Sequence, residues 1–193
     1  MGRIFITGDT HGNIDYDKFL ALEDFSLTYE DHIIICGDAG ICWSNSTFQH
    51  FINLYRNIGC TILFIDGNHE NFEMLNQMPL VEYKGALMHQ IDEHIFHILR
   101  GEIVSIEGIT FLCIGGACSI DKDYRVPYVS WWPEEEITFH DIDNAIDNLA
   151  KVDYKVDYVV TISSIKSSCF VHTSPLKPKA FLQVFVSQQC VTT

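Results

Sequence analysis

No apolar stretch in the 193-residue chain approaches the ~18 residues that a membrane-crossing helix needs. The first apolar run, Ile4-Phe5-Ile6, meets Asp9 too soon to form the core of an export signal. Basic residues are scarce: 12 Lys and Arg stand against 26 acids, for a formal charge of −14. Such a surface repels phosphate backbones and argues against a nucleic-acid scaffold role without a bridging cation. The 7 cysteines are odd in number and contain no C-x-x-C pair. Together with the missing export signal, this reads as free thiols in a cytoplasmic protein. Cys36, Cys60 and Cys113 lie inside apolar runs and read as packing residues. Charged residues make up only 20% and hydrophobic ones 47%, which excludes a disordered or collagenous chain. A chain of this length buries enough surface to fold without a metal or a disulfide.

Acids are missing altogether after Asp157. The last 36 residues carry Lys166, Lys177 and Lys179 and no Asp or Glu, while being rich in Ser, Thr, Val and Gln. A break of this size marks a tail, a different module, or an end replaced by a change of reading frame; composition does not choose among these. The expected division is a domain over 1–162 and an atypical tail over 163–193.

Within the body, three short runs read as strands buried on both faces: Arg3–Thr7, His32–Cys36 and Cys60–Ile65. Phe48, Phe51, Ile52 and Tyr55 follow helical spacing between the second and third, with Ser46 and Gln49 as a capping box. Tyr16, Phe19 and Leu20 predict another helix after the first strand. A strand–helix–strand period near 30 residues implies a parallel sheet with right-handed crossovers. Farther on, Ile95–Leu99, Glu102–Ile106 and Ile109–Ile114 are closely spaced, which favours antiparallel hairpins. Pro133 with Glu134, Glu135 and Glu136 predicts a helix start, continued by an apolar face at Ile142, Ala145, Ile146 and Leu149. Tyr158–Ile162 predicts a further strand.

Each early strand ends in polar residues: Gly8-Asp9-Thr10-His11-Gly12, Gly37-Asp38-Ala39-Gly40 and Asp66-Gly67-Asn68-His69-Glu70. Each cluster alone is ordinary turn chemistry, and Asn68 could cap a helix starting near Glu70. Three clusters in phase say more. The carboxyl ends of parallel strands converge on the ligand crevice of an open α/β sheet. Oxygen donors plus imidazole gathered there suit Mn²⁺, Fe or Zn²⁺.

Asp9-x-His11, Gly37-Asp38 and Gly67-Asn68-His69-Glu70, in this order and spacing, resemble the first three motifs of the calcineurin-like metallophosphoesterases. Gly115-Gly116-Ala117 and Trp131–Glu136 extend the likeness toward a small bacterial and phage branch. The resemblance implies an α/β sandwich of two mixed sheets flanked by helices, here incomplete at the C-terminus. It implies two divalent ions and hydrolysis of phosphate mono- or diesters by a metal-bound hydroxide. Asp9 and His11 would hold the first ion, Asp38 would bridge, and Asn68 would hold the second. His69 would be catalytic, contacting phosphate or protonating the leaving group. The family's later histidine ligand finds Ile162 in its place, and no Gly-His-x-His follows. His172 would serve if Ser163–Cys169 loops out. Arg125, after a Gly-rich loop, is either a phosphate contact or a surface ion pair. With those departures the chain is expected to hold only one ion tightly. The alternative is an impaired or non-catalytic remnant acting as a metal-binding or interaction module. The expected partner is a phosphorylated substrate.

Overall fold

Along β2 (His32–Cys36) the side chains alternate between two buried surfaces. Ile33 and Ile35 pack with the core on one side, and Ile34 and Cys36 with a second core on the other. The computed structural model describes residues 2–163 and the strand at 182–187. β1 (Ile4–Thr7) and β3 (Thr61–Ile65) flank β2 in parallel, Ile4 opposite His32 and His32 opposite Thr61. The β-branched residues that fill these strands favour this pleated setting, and burial on both faces is what a covered parallel sheet demands.

Beyond β3 the sheet continues through β6 (Ile95–Ile98), β5 (Ala86–Asp92) and β4 (Leu80–Tyr83), with β6 parallel to β3 and the others antiparallel. A second sheet contains β7 (Glu102–Ile106), β8 (Ile109–Ile114), β9 (Tyr158–Ser163) and β10 (Leu182–Ser187). Between the sheets lie Ile34, Cys36, Leu63, Ile65, Val104, Phe111, Cys113 and Val160, all buried. On the outer face of the first sheet, α1 (Asn45–Arg56) contributes Ile52 and Tyr55 to the other core. The short α2 (Phe72–Leu75) follows β3, and Asn71 caps it by accepting from the Met74 N–H. The family architecture of two sheets with flanking helices is therefore present.

Several expectations are corrected by the coordinates. Ser46 and Gln49 do not form a capping box: Ser44 is the N-cap of α1, and its hydroxyl bonds those of Ser46 and Thr47 instead. Tyr16–Phe25 forms 3-10 rather than α-helical turns, ending at Ser26 in the left-handed region. Pro133–Glu135 is a separate 3-10 turn, and α3 (Phe139–Lys151) begins later with a true capping box between Thr138 and Asp141. The expected apolar face of α3 is split: Ala145 is buried and Leu149 half-buried, whereas Ile142 and Ile146 are exposed. Its inner side carries Asn144 and Asn148, whose amides bond the Arg100 and Gly101 carbonyls. That backbone approaches so closely that polar amides fit there and bulky isoleucines do not. The run of three strands also splits: β6 belongs to the first sheet, antiparallel to β5 and parallel to β3, while β7 and β8 pair with each other in the second.

Cys36, Cys60 and Cys113 are buried free thiols, as their apolar neighbours required. Among the described residues no helix is long and apolar enough to cross a membrane. The expected tail over 163–193, with His172 and the Ser163–Cys169 loop, lies outside the described residues except at Ser163 and β10. There the backbone pairs in parallel with β9, Leu182 opposite Tyr158.

Candidate metal centre at the strand ends

The turns after β1 and β2 are tied to each other before any side chain is considered. Thr10 and His11 donate their N–H groups to the Asp38 carbonyl at 3.1 and 2.8 Å, and Gly12 donates to the Ala39 carbonyl at 2.9 Å. Tyr55, from α1, sets its hydroxyl on Thr10, Gly12 and Ala39 together. This lattice holds His11 and Asp38 at φ of 46° and 34°, a left-handed backbone that side chains other than glycine adopt at a cost. Gly67 is required for a different reason: a Cβ there would collide with Asp38 Oδ1.

These constraints bring His11, Asp38 and His69 together, with one ligand atom from each lying within 4.8 Å of the others. His11 Nε2 is 3.4 Å from Asp38 Oδ2. The other Asp38 oxygen accepts the His69 N–H at 2.7 Å. Asp38 is fully buried and Asp9 nearly so, and Asp9 Oδ1 is 3.1 Å from where a Gly37 Cβ would stand. Hydrogen bonding to Asp38 raises the His11 pKa against the opposing effect of burial, with Asp9 and Asp15 adding to the rise. Two buried carboxylates beside imidazoles form the donor set a divalent cation takes, and the residues fit such an ion.

His69 belongs to this cluster and also links it to Arg125. Its Nε2 is 2.9 Å from Arg125 Nη2, which can only donate, so the His69 proton sits on Nδ1. Burial lowers the His69 pKa; Asp38 opposes this, and Arg125 reinforces it. Arg125 is itself held by Asp121 at 2.9 Å and by the Ser130 carbonyl. The guanidinium therefore points to the cluster, while its ion pair with Asp121 anchors the base. Trp43 flanks His69 with ring centroids 6.2 Å apart, and the buried Trp132 packs edge-on against Trp43. Asn68 is held from the other side, its Nδ2 donating to Ser119 Oγ at 3.1 Å. His172 lies outside the described residues. His97 bonds Asp66 within the core, whereas His94 stacks on Tyr29.

Ile162 lies at the edge of the same cluster. Its Cδ1 fills the space in which any side chain at position 37 would have to stand. Position 162 is thus beside Gly37 and close to Asp9 in space, and it offers a methyl group rather than a ligand.

Some supporting residues had no assigned role in the sequence. Glu70 is fully buried and accepts the Ala39 and Gly40 N–H groups at 2.7 and 3.3 Å, shaping the turn that carries Asp38. Burial and the nearby Asp38 push its pKa well above the usual carboxylate range. Asp66 pairs with Arg100 and His97 beneath the site. Burial alone would raise the Asp66 pKa, but the His97 hydrogen bond and the Arg100 charge bring it down to about 2. The signal for Asp66 and Glu70 was their place inside the third cluster; for Arg100 no sequence pattern marks the role.

Comparison with curated proteins and with solved structures found no match to this chain. The sequence profile of the calcineurin-like phosphoesterases, by contrast, matches residues 2–161, which is most of the chain and includes the ends of β1, β2 and β3. Members of that family are phosphoesterase hydrolases. With the two-sheet architecture and the matched span in agreement, this chain belongs to the calcineurin-like phosphoesterase family.

Proposed function

We propose that this chain hydrolyses phosphate mono- or diesters with divalent metal at the ends of β1, β2 and β3. The observation that carries the reading is the convergence of His11, Asp38 and His69 within 4.8 Å, with Arg125 on His69 at 2.9 Å. Without a cation, Asp9 and Asp38 would repel a phosphate; with one, the same carboxylates become its anchor. In this reading Asp9, His11 and Asp38 would hold a first ion, and Asp38 with Asn68 would hold a second. A bound divalent ion supplies a Lewis acid and acidifies water toward neutral pH.

The remaining work belongs to the protein. Arg125 donates from its guanidinium to the ester's phosphoryl oxygens, leaving His69 Nε2 for the reacting groups. With Arg125 moved onto the phosphoryl group, His69 Nε2 is free to take up a proton from solvent and pass it to the departing oxygen, a contribution of about 10²–10⁴-fold. Trp43 limits where His69 can turn. Ile162 contributes no ligand, so among the described residues a second ion would have fewer protein donors than the first. One ion would then be held tightly and a second weakly, with turnover correspondingly slow.

The test is hydrolysis of p-nitrophenyl phosphate and bis(p-nitrophenyl) phosphate by the purified chain with Mn²⁺, Fe²⁺ or Zn²⁺. Metal-dependent release that EDTA abolishes is expected. The apolar Ile162 edge also supports a second reading, a metal-binding member without turnover. Tight metal binding with no hydrolysis of either ester would favour that one.

A further inference from the structure

Only one end of the Asn68 amide can bind a cation: its oxygen has lone pairs, and its NH₂ does not. Which end faces the metal cluster is decided by what holds the other. Asn68 Nδ2 lies 3.1 Å from Ser119 Oγ, and Ser119 is almost wholly buried. A serine hydroxyl has a single proton, and here it is already committed. Ser119 Oγ donates to Glu135 Oε2 at 2.7 Å, while the Ser119 N–H donates to Glu135 Oε1 at 2.5 Å. Glu135 is fully buried, and each of its oxygens takes one of these donors. Ser119 Oγ can therefore only accept from Asn68, which it does from the NH₂ end.

The carboxylate is placed as firmly as the serine. Glu135 sits in the turn Pro133–Glu135, with its N–H bonded to the Trp132 carbonyl. Its own carbonyl accepts from Ala117 at 2.9 Å and from Arg100 at 3.2 Å. Arg100 also holds Asp66, two residues before Asn68. The turn that carries Glu135 and the turn that carries Asn68 thus share one guanidinium.

We propose that Glu135, acting through Ser119, is a positioning residue that fixes the Asn68 amide with its oxygen toward the metal. This rests on the reading of Asn68 as a ligand. Replacing Glu135 by Gln keeps the shape and reverses the polarity. The Gln oxygen must take the Ser119 N–H, which leaves its NH₂ to donate to Ser119 Oγ. The serine proton then turns to Asn68, and the amide flips its NH₂ toward the cluster.

The experiment is Mn²⁺ titration of the metal-free full chain, followed by loss of the aqueous Mn²⁺ electron paramagnetic signal. Asn68→Ala first measures what the amide contributes. Glu135→Gln is expected to weaken Mn²⁺ binding by about tenfold or more, the usual effect of losing an outer-shell partner. Adding Asn68→Asp to Glu135→Gln should restore binding, because either carboxylate oxygen is a ligand and the freed serine proton has an acceptor. A packing defect at Glu135 would survive that second change. Wild-type affinity in Glu135→Gln, or an undiminished loss in the double variant, would overturn the proposal. If Asn68→Ala binds Mn²⁺ like the wild type, the ligand reading itself fails. If Asn68→Ala weakens binding and Glu135→Gln does not, only the relay fails. Should Glu135→Gln not fold, Ser119→Ala in the Asn68 and Asn68→Asp backgrounds decides the matter, weakening the first alone.

Discussion

Where β1, β2 and β3 end, the chain places Asp9, His11, Asp38, Asn68 and His69; where β8 and β9 end, it places Ile114, Gly115 and Ile162. The two sheets share one core and run their carboxyl ends to the same edge, yet one brings ligands and the other brings methyl groups. Position in the fold is thus not sufficient for chemistry. The first sheet's ends carry the candidate donors, while the β6–β7 turn with Arg100 and the segment between β8 and β9 with Ser119 and Glu135 bond the turn that holds Asp66 and Asn68.

The connection between the regions can be cut at Arg100, which bonds Asp66 and the carbonyls of Glu134, Glu135 and Glu136. Arg100→Leu leaves a buried carboxylate without its charge partner and should cost about 3–5 kcal/mol. Urea unfolding measures it; a loss below about 1 kcal/mol would mean that the two regions stand independently.

The same network makes a pH prediction on the first sheet's side. His89 Nδ1 meets His97 Nδ1 at 3.0 Å, and His97 Nε2 faces Asp66. Burial, then the charge of His97, pushes the His89 pKa from 6.5 down to about 4. The unfolded chain takes up the proton first as pH falls, so stability is full above 6.5 and declines toward 4. The loss is on the order of 3 kcal/mol. His89→Gln should flatten that part of the stability–pH curve, and an unchanged slope would assign the acid sensitivity elsewhere.

Ile162→His sharpens the comparison by giving the second sheet a ligand. Mn²⁺ binding at the weaker position should tighten by about tenfold, since an added protein donor raises affinity. Equilibrium dialysis against Mn²⁺ should count two ions per chain where the parent keeps one. The smallest effect expected is at Thr138→Ala, which removes the cap of α3 and should cost about 1 kcal/mol in thermal or urea unfolding without altering metal content.

Much of the parallel half was legible because its physics is local. Continuous β-branched runs such as Ile33–Ile35 have no stable place except a covered sheet, and phased Asp, His and Asn at their ends have few uses but a shared ligand. The rest depends on contacts distant in sequence. Asn144 and Asn148 face inward because Gly101 lets the backbone come close, which no helical periodicity encodes. Pro133 followed by three acids has the composition of a helix start, but Glu135 is drawn into the core by Ser119 and the turn stops there. Leu80–Tyr83 gave no strand signal; it is a partly exposed edge that forms by pairing with β5. In the site itself, Asp38 and His69 were visible as motif residues, whereas Ser119 and Glu135 act only through the fold.

The central claim is that the first sheet's strand ends hold a divalent ion through Asp38. Metal content per chain after Mn²⁺ loading and exhaustive dialysis, compared between the wild type and Asp38→Asn, tests it most directly. The account predicts one retained ion in the wild type and none in the variant, with any phosphoesterase turnover lost alongside. Equal metal retention in the two proteins would contradict it.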